Sequence, residues 1–451
     1  MSLTLAKKTE SKFRNWILGM PTVAVLLPIQ GISLLYWWIA GSYLGLDVYS
    51  SRSFPATDGW CEASSEGLGT HCWGDYYYVI FLVFSQPYPW QDYANAYPAA
   101  ALIPFILTHL LGSLTGFAHA GLLIYLGSMT VLIGWGVWVG TKGVSLESRI
   151  ILFTTITLFS PPLIHALDRG NNVGFIIPLL VWFFSALIRP SPNQGVIAIV
   201  LLTVIKPHFA VLLILYLVRG EFKTFAKGAL LGGAIHSLAF LVVAGHRFPA
   251  NIYDWLSRFI SYQDYTSVAS GWPQNISFAQ GLYSFATLVP SQFQSESILK
   301  DLEGLQGMIG PLVFCSVLFF ITLYRRALTD VQAGIVLASL VAMTSNTSWY
   351  YYAIFSIPAL LALTQMNKLV TAGISKPKIV GNSVSKKIDY ILWLVLVLTL
   401  IQLPMYELDS DKSIIVSTAN LVGGFWIIAY TLVFGLLISG KSARKPRDWR
   451  Q

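Results

Sequence analysis

Three stretches carry residues that could do chemistry. The first begins Trp73-Gly74-Asp75-Tyr76-Tyr77-Tyr78, continues through Gln86-Pro87-Tyr88-Pro89-Trp90 and ends at Asn95-Ala96-Tyr97-Pro98. Asp75 follows a glycine and stands among aromatic rings. A carboxylate partly withdrawn from water at a membrane surface is a better proton acceptor, so Asp75 is a candidate general base. It could equally be a solvated loop acid, or cap a helix starting at Tyr76. Asp47 is the competing base, and Asp58, Glu62, Glu66 and Asp92 are further acids of the same region. The second stretch, His165-Ala166-Leu167-Asp168-Arg169-Gly170-Asn171-Asn172, interrupts an apolar run. So polar a cluster at a helix junction is costly unless it is used or buried in protein; a solvated turn is the alternative. The third is Lys206-Pro207-His208. A lysine deep in an apolar run is expensive, and too deep here to snorkel. Proline breaks the helix and frees backbone groups to line a cavity. An ammonium so placed suits an anionic phosphate.

Later segments add binding rather than proton transfer. Trp272-Pro273-Gln274-Asn275-Ile276-Ser277 sets a flat ring beside amides and a hydroxyl, and Ser345-Asn346-Thr347-Ser348-Trp349-Tyr350-Tyr351-Tyr352 repeats the theme. Aromatic faces and amide edges suit sugar rings, which present C–H faces and hydroxyl rims. An interfacial aromatic belt explains such residues too, and is the preferred reading for Trp255. Asn275-Ile276-Ser277 is also a glycosylation sequon, a pattern frequent by chance. Cys61 and Cys72 could form a disulfide in an oxidising compartment, stay as thiols, or join His71 and Asp75 around a metal whose spacing fits no known zinc pattern. Cys315 reads as a small hydrophobe within a span.

These residues need elements to position them, and composition says which. The chain is 55% hydrophobic and 11% charged, against roughly 25% charged in soluble domains. Its apolar residues come in blocks of the ~20 residues a helix needs to cross a bilayer. Helices are the credible spanning form, because backbone groups in lipid must be satisfied internally. The net charge of +8 does not imply nucleic acid, since the cations sit at segment ends: Lys7, Lys8, Lys12 and Arg14 early, and Lys441, Arg444, Lys445, Arg447 and Arg450 late. That is the positive-inside distribution, with both termini expected in the cytoplasm. The first apolar run, Val23 to Leu44, is too long for a signal-peptide core.

The expected architecture is an all-α polytopic membrane protein, one membrane-embedded domain over residues 1–451 with about twelve spans. Spans are predicted near Val23–Leu44, Pro98–Leu114, Gly121–Val139, Ile150–Leu163, Val173–Ile188, Val196–Val218, Leu230–Ala244, Met308–Tyr324, Val331–Thr344, Tyr351–Leu363, Tyr390–Pro404 and Ile414–Ile438. Two long extracytoplasmic loops are predicted at 45–97 and 245–307, and a basic cytoplasmic loop at 366–388. Lys206-Pro207 could split its span into two half-helices, which leaves open the faces of Gly140–Arg149, His165–Asn172 and Arg189–Gln194. No internal repeat is evident, which counts against a repeat-built transporter.

The ordered landmarks resemble glycosyltransferase family 87, whose members have the GT-C fold and use polyprenyl-phosphate sugars. Asp75 with its aromatic followers, Gln86-Pro87-Tyr88 and Tyr97-Pro98 are similar to the family's first-loop motif, with Ala99 where a second proline is common. Asp168-Arg169-Gly170-Asn171, Lys206-Pro207, Asn275-Ile276-Ser277 and Ser348-Trp349 resemble later landmarks, with Tyr350 and Tyr351 where histidines are usual. The resemblance runs from Asp75 to Pro358. It implies a membrane-embedded active site at the outer face, an aspartate base, and a lipid-linked sugar donor, mannosyl as the leading guess, serving lipid or glycan acceptors in cell-envelope glycolipid synthesis. On that reading Asp75 is catalytic. Lys206, His208 and Arg169 bind the donor phosphate. Asn171, Trp272, Asn275, Ser277, Ser348, Trp349 and Tyr351 bind sugar or acceptor. The attack is direct and inverting, since no second carboxylate is evidently placed as nucleophile. No cofactor or metal is expected, and the expected partners are these substrates and membrane lipids, with no nucleic acid. The alternatives are a transporter or flippase of a lipid-linked sugar, whose site would lie near mid-membrane between repeats, or a non-catalytic assembly subunit.

Overall fold

The computed structural model describes residue 28, 31–32, 35, 73–86, 89–90, 97–117, 119–142, 145–244, 247–264, 275–288, 296–346, 348–371, 382–401, 404–409 and 412–442. Asp47, Cys61, Cys72, His71, Trp272 and nearly all of the first predicted span lie outside these residues.

The described chain is almost wholly helical. Its helices are α1 (Gly74–Phe84), α2 (Ala99–Ser113), α3 (Ala120–Gly140), α4 (Leu146–Phe159), α5 (Pro161–Asp168), α6 (Ile176–Ile188), α7 (Pro192–Ile205), α8 (Ile214–Val218), α9 (Phe222–Ala244), α10 (Phe248–Asp264), α11 (Phe278–Thr287), α12 (Glu296–Gly304), α13 (Gln306–Leu323), α14 (Asp330–Met343), α15 (Ser356–Thr371), α16 (Asn382–Leu400) and α17 (Val422–Ser442). Short 3-10 turns lead into α6 (Asn172–Phe175), α8 (Pro207–Leu213), α15 (Tyr350–Phe355) and α17 (Thr418–Leu421). One antiparallel hairpin, β1 (Pro404–Asp409) with β2 (Lys412–Ser417), pairs Pro404 with Ser417 and Asp409 with Lys412.

Four described helices are long and apolar enough to cross a membrane: Ala120–Gly140, Phe222–Val243, Gln306–Leu323 and Thr418–Ser439. A fifth is the pair α4–α5, bent by 47° where Pro161 and Pro162 cannot donate to the preceding turn. These lie among the described residues, which leave out nearly all of the first predicted span. α6 and α14 form over the predicted blocks Val173–Ile188 and Val331–Thr344 with 13 and 14 helical residues, short of the ~20 that a crossing needs. Lys206-Pro207 divides the block Val196–Val218 into α7 and the Pro207–Val218 segment. The last two predicted spans are also trimmed, ending at Leu400 and starting at Val422. β-branched Ile414, Ile415 and Val416 go into β2 instead.

Contacts between elements fix which ends lie together. Lys206-Pro207 is a reversal, not a kink: Tyr216 Oη donates to the Pro192 carbonyl at 3.4 Å, so α7 and the Pro207–Val218 segment run antiparallel. The tip of this hairpin meets Asn172, which reaches the Ile205 carbonyl. Its two feet meet Lys227, which donates to Asn193, and Arg325, which donates to the Val218 carbonyl. Arg219 pairs with Asp330 there. Arg149 stacks over Trp138 at the end of α3, and Lys142 and Arg189 line one cleft. The cations therefore gather at one end of the helices, and His165–Asn172 with Lys206 at the other. Gly140–Arg149 and Arg189–Gln194 thus lie at one end of the helices and His165–Asn172 at the other.

Candidate functional site

The turn after α5 builds the site. Gly170 N donates to Leu167 O and Asn171 N to Ala166 O, the paired bonds of a Schellman cap, which needs a left-handed residue. Gly170 supplies it, at φ 63°. A Cβ there would also stand 3.0 Å from the Cβ of Tyr76. The chain entering α1 docks on this turn: Trp73 N donates to Asp168 O at 2.7 Å, and Asp75 N to Arg169 O at 3.0 Å. Asp75 is thus fixed through its backbone.

Asn171 ties the neighbouring side chains together. Its Oδ1 accepts from Val173 N at 3.0 Å, capping the next 3-10 turn. With the oxygen so used, Nδ2 is the donor, and it reaches Asp75 Oδ2 at 2.6 Å and Tyr97 Oη at 2.9 Å. Arg169 Nε lies 3.5 Å from the same carboxylate oxygen. Asn172 donates to Ala101 O and Ile205 O, tying the start of α2 and the tip of the Lys206 hairpin to this turn. Lys206 is extended, at φ −145° and ψ 114°, as a residue before proline must be. Its ammonium sits 4.2 Å from the centre of the Tyr97 ring. Trp90, fully buried, donates to Tyr97 O and fixes the backbone that carries that ring. The carboxylate, amide, phenol and ammonium form one contiguous row, within which Lys206 also feels the charges of Asp75 and Arg169.

Aromatic rings wall the row. Arg169 lies 5.0 Å over the Trp349 ring, Trp349 stacks 6.5 Å from Tyr351, and Tyr351 packs on His165 and Tyr352. Tyr352 faces both His208 and Lys206, at 5.5 and 5.8 Å. His208 Nε2 has no hydrogen-bond partner among the described residues. Of the residues singled out by sequence, Asp75, Arg169, Asn171, Lys206, His208, Trp349 and Tyr351 therefore come together. Asn275, Ser277 and Ser348 stand one layer behind, all buried. Asn275 Oδ1 accepts from Ser277 N and Ser348 N, Ser277 caps α11 through Gln280 N, and Ser348 Oγ donates to Ala342 O. Asn275 and Ser348 thus hold the backbone next to Trp349, and Ser277 holds the start of α11.

The family model for glycosyltransferase family 87 matches residues 95–349, more than half of the chain. The chain belongs to glycosyltransferase family 87. This family 87 chain is therefore a membrane glycosyltransferase, and the matched range holds Tyr97, the Asp168–Asn172 turn, Lys206, Asn275 and Trp349. Asp75 lies upstream of the match and joins the site through its bonds to Arg169 and Asn171. No curated protein and no solved structure matches the chain.

Sequence reasoning gave no task to Tyr97, Asn172 or Tyr352. Tyr97 had a signal: an aromatic followed by proline at the end of a polar stretch, just before a helix. Nothing in sequence announces that its ring lies beneath Lys206, more than a hundred positions away.

Proposed function

We propose that this transferase moves a hexose, mannose being the leading candidate, from a polyprenyl-phosphate donor to a hydroxyl of a lipid or glycan acceptor. The observation that carries this reading is the row Asp75–Asn171–Tyr97–Lys206, which brings a proton acceptor and a phosphate-binding cation from distant segments together beside the Asn171 turn. The acceptor oxygen bonds to the anomeric carbon as the bond from that carbon to the phosphate oxygen breaks. The acceptor proton passes to Asp75, and the electron pair leaves with the polyprenyl phosphate. A phosphate is a good leaving group, so the site needs a base and positive charge more than a strong acid. Asp75 is the base. Lys206, with Arg169 and His208, meets the departing phosphate, and neither cofactor nor metal is required. One direct displacement inverts the anomeric centre. Trp349 and Tyr351 offer flat faces to the sugar.

Sidedness follows from charge. Lys142, Arg149, Arg189, Arg219 and Arg325 mark the end away from Asp75, and the positive-inside rule assigns that end to the cytoplasm. The row then opens to the outer leaflet of the cell membrane.

The test uses purified protein, a synthetic polyprenyl-phosphate mannose and a membrane-lipid acceptor. Asp75→Asn should lower turnover by about 10²–10⁴, the usual worth of a general base, with thermal unfolding unchanged. Lys206→Ala should raise the donor KM. An active Asp75→Asn enzyme removes Asp75 from the reaction. Movement of donor across vesicles without transfer makes the chain a flippase and ends the transferase reading of this row.

A further inference from the structure

Asn172 follows the residue whose amide holds Asp75, yet its own side chain serves the other half of the row. It is fully buried, and its Nδ2 donates to Ala101 O at 3.3 Å and to Ile205 O at 3.4 Å. Its Oδ1 is buried too, with no hydrogen-bond partner among the described residues. A buried acceptor left in that state costs about 1–3 kcal/mol. Leucine has nearly the same shape and would avoid that cost, so what the amide adds is the pair of bonds it donates.

One of those bonds meets a carbonyl that the helix does not serve. In a continuing α-helix Ile205 O would accept from the N–H four positions on, at Phe209. Lys206-Pro207 turns the chain first, and Phe209 N donates to Lys206 O at 3.1 Å instead. Ile205 O belongs to the planar peptide that leads into Lys206. The nitrogen of that peptide donates to Leu202 O at 2.9 Å, and its oxygen accepts from Asn172. With both ends held, the plane is fixed, and so is the direction in which Lys206 leaves it. The second bond, to Ala101 O, holds the first turn of α2, which follows directly on Tyr97 and Pro98. Asn172 therefore holds backbone on both sides of the contact between the Lys206 ammonium and the Tyr97 ring.

We propose that Asn172 is a positioning residue for the donor phosphate. Asn171 holds the carboxylate of the base, and Asn172 holds the peptide that carries the ammonium. Because the two are adjacent in one turn, a single dipeptide sets the spacing between base and phosphate. This rests on the reading of Lys206 as the phosphate-binding cation. Neither bond of Asn172 goes to Asp75, which keeps its own contacts with Asn171 and Arg169. Loss of the Asn172 amide therefore falls on the phosphate and not on the base.

Titration calorimetry of the full chain in detergent, with farnesyl phosphate and with uncharged farnesol, tests this. Asn172→Ala should weaken farnesyl phosphate about 5-fold and leave farnesol unchanged, whereas a general loosening of the fold would weaken both. Lys206→Ala should weaken farnesyl phosphate about 10-fold. Adding Asn172→Ala to Lys206→Ala should cost nothing further, because the two act through one contact. Asn172→Ser keeps one donor in less volume and should fall between Asn172→Ala and the unmodified chain. If Asn172→Ala does not fold, the serine variant is read in its place; if neither folds, Asn172 serves the fold and the proposal fails. Equal losses of farnesyl phosphate and farnesol, or a further loss in the double variant, would also overturn it. If Lys206→Ala itself leaves farnesyl phosphate binding intact, the phosphate role of Lys206 fails and takes this proposal with it. A loss at Lys206 without one at Asn172 sinks this proposal alone.

Discussion

Tyr97 touches the two halves of the site by different atoms, so two substitutions separate them. Tyr97→Phe removes the hydroxyl that accepts from Asn171 at 2.9 Å but keeps the ring 4.2 Å beneath the Lys206 ammonium. A neutral hydrogen bond contributes about 1 kcal/mol, and losing it frees the Asn171 amide that also holds Asp75 at 2.6 Å. The effect should fall on turnover, as a loss of about 5-fold, with donor KM nearly unchanged. Tyr97→Leu removes the ring as well. A cation–ring contact shielded from water is worth about 2 kcal/mol, so the donor KM should rise by about 30-fold on top of the turnover loss. The assay is steady-state transfer with donor and acceptor varied separately, each variant first checked for monodispersity in detergent. The reasoning is refuted if Tyr97→Phe and Tyr97→Leu give the same donor KM, or if the phenylalanine variant changes KM and spares turnover. Either result would mean that the ring does not place Lys206, or that the hydroxyl does not place Asp75.

Gly170→Ala puts a side chain into left-handed backbone and against Tyr76. It should cost about 1–2 kcal/mol of stability, read by thermal unfolding, and cut transfer by displacing Asn171; a neutral effect on both would remove this turn from the argument. At the basic end, Gln332 Nε2 donates to the buried Asp389 at 2.7 Å. Gln332→Ala should destabilise the α14–α16 contact by about 1–3 kcal/mol while leaving donor KM alone, and a changed KM would show that the two ends of the bundle are coupled. Gly281→Ala would place a Cβ 2.0 Å from the backbone nitrogen of Gly424, where α11 and α17 cross. Overpacking of this kind costs about 1–3 kcal/mol, measurable as a lowered midpoint in chemical unfolding, and an unchanged midpoint would deny the close crossing.

Much of this was legible in the chain alone, and for physical reasons. Lipid solvent leaves its mark directly on composition, because a surface facing hydrocarbon cannot carry charge; long apolar blocks with cations at their ends therefore announce membrane helices one residue at a time. Individual costs are legible too. A lysine before a proline inside an apolar run, and a glycine between polar residues at a helix end, each declare a local expense that some contact must offset. What sequence does not contain is partnership across distance. That α7 folds back at Lys206, that the Tyr97 ring lies under its ammonium, that one amide at Asn171 joins a carboxylate from position 75 to a phenol from position 97, and that Asn275 and Ser348 support a ring instead of facing the row, are all outcomes of how helices pack. Packing depends on the shapes of surfaces far apart in the chain, and no window of residues carries that shape. The shape of a break is of the same kind: the sequence shows that Lys206-Pro207 could divide its span, while packing decides that the chain reverses there.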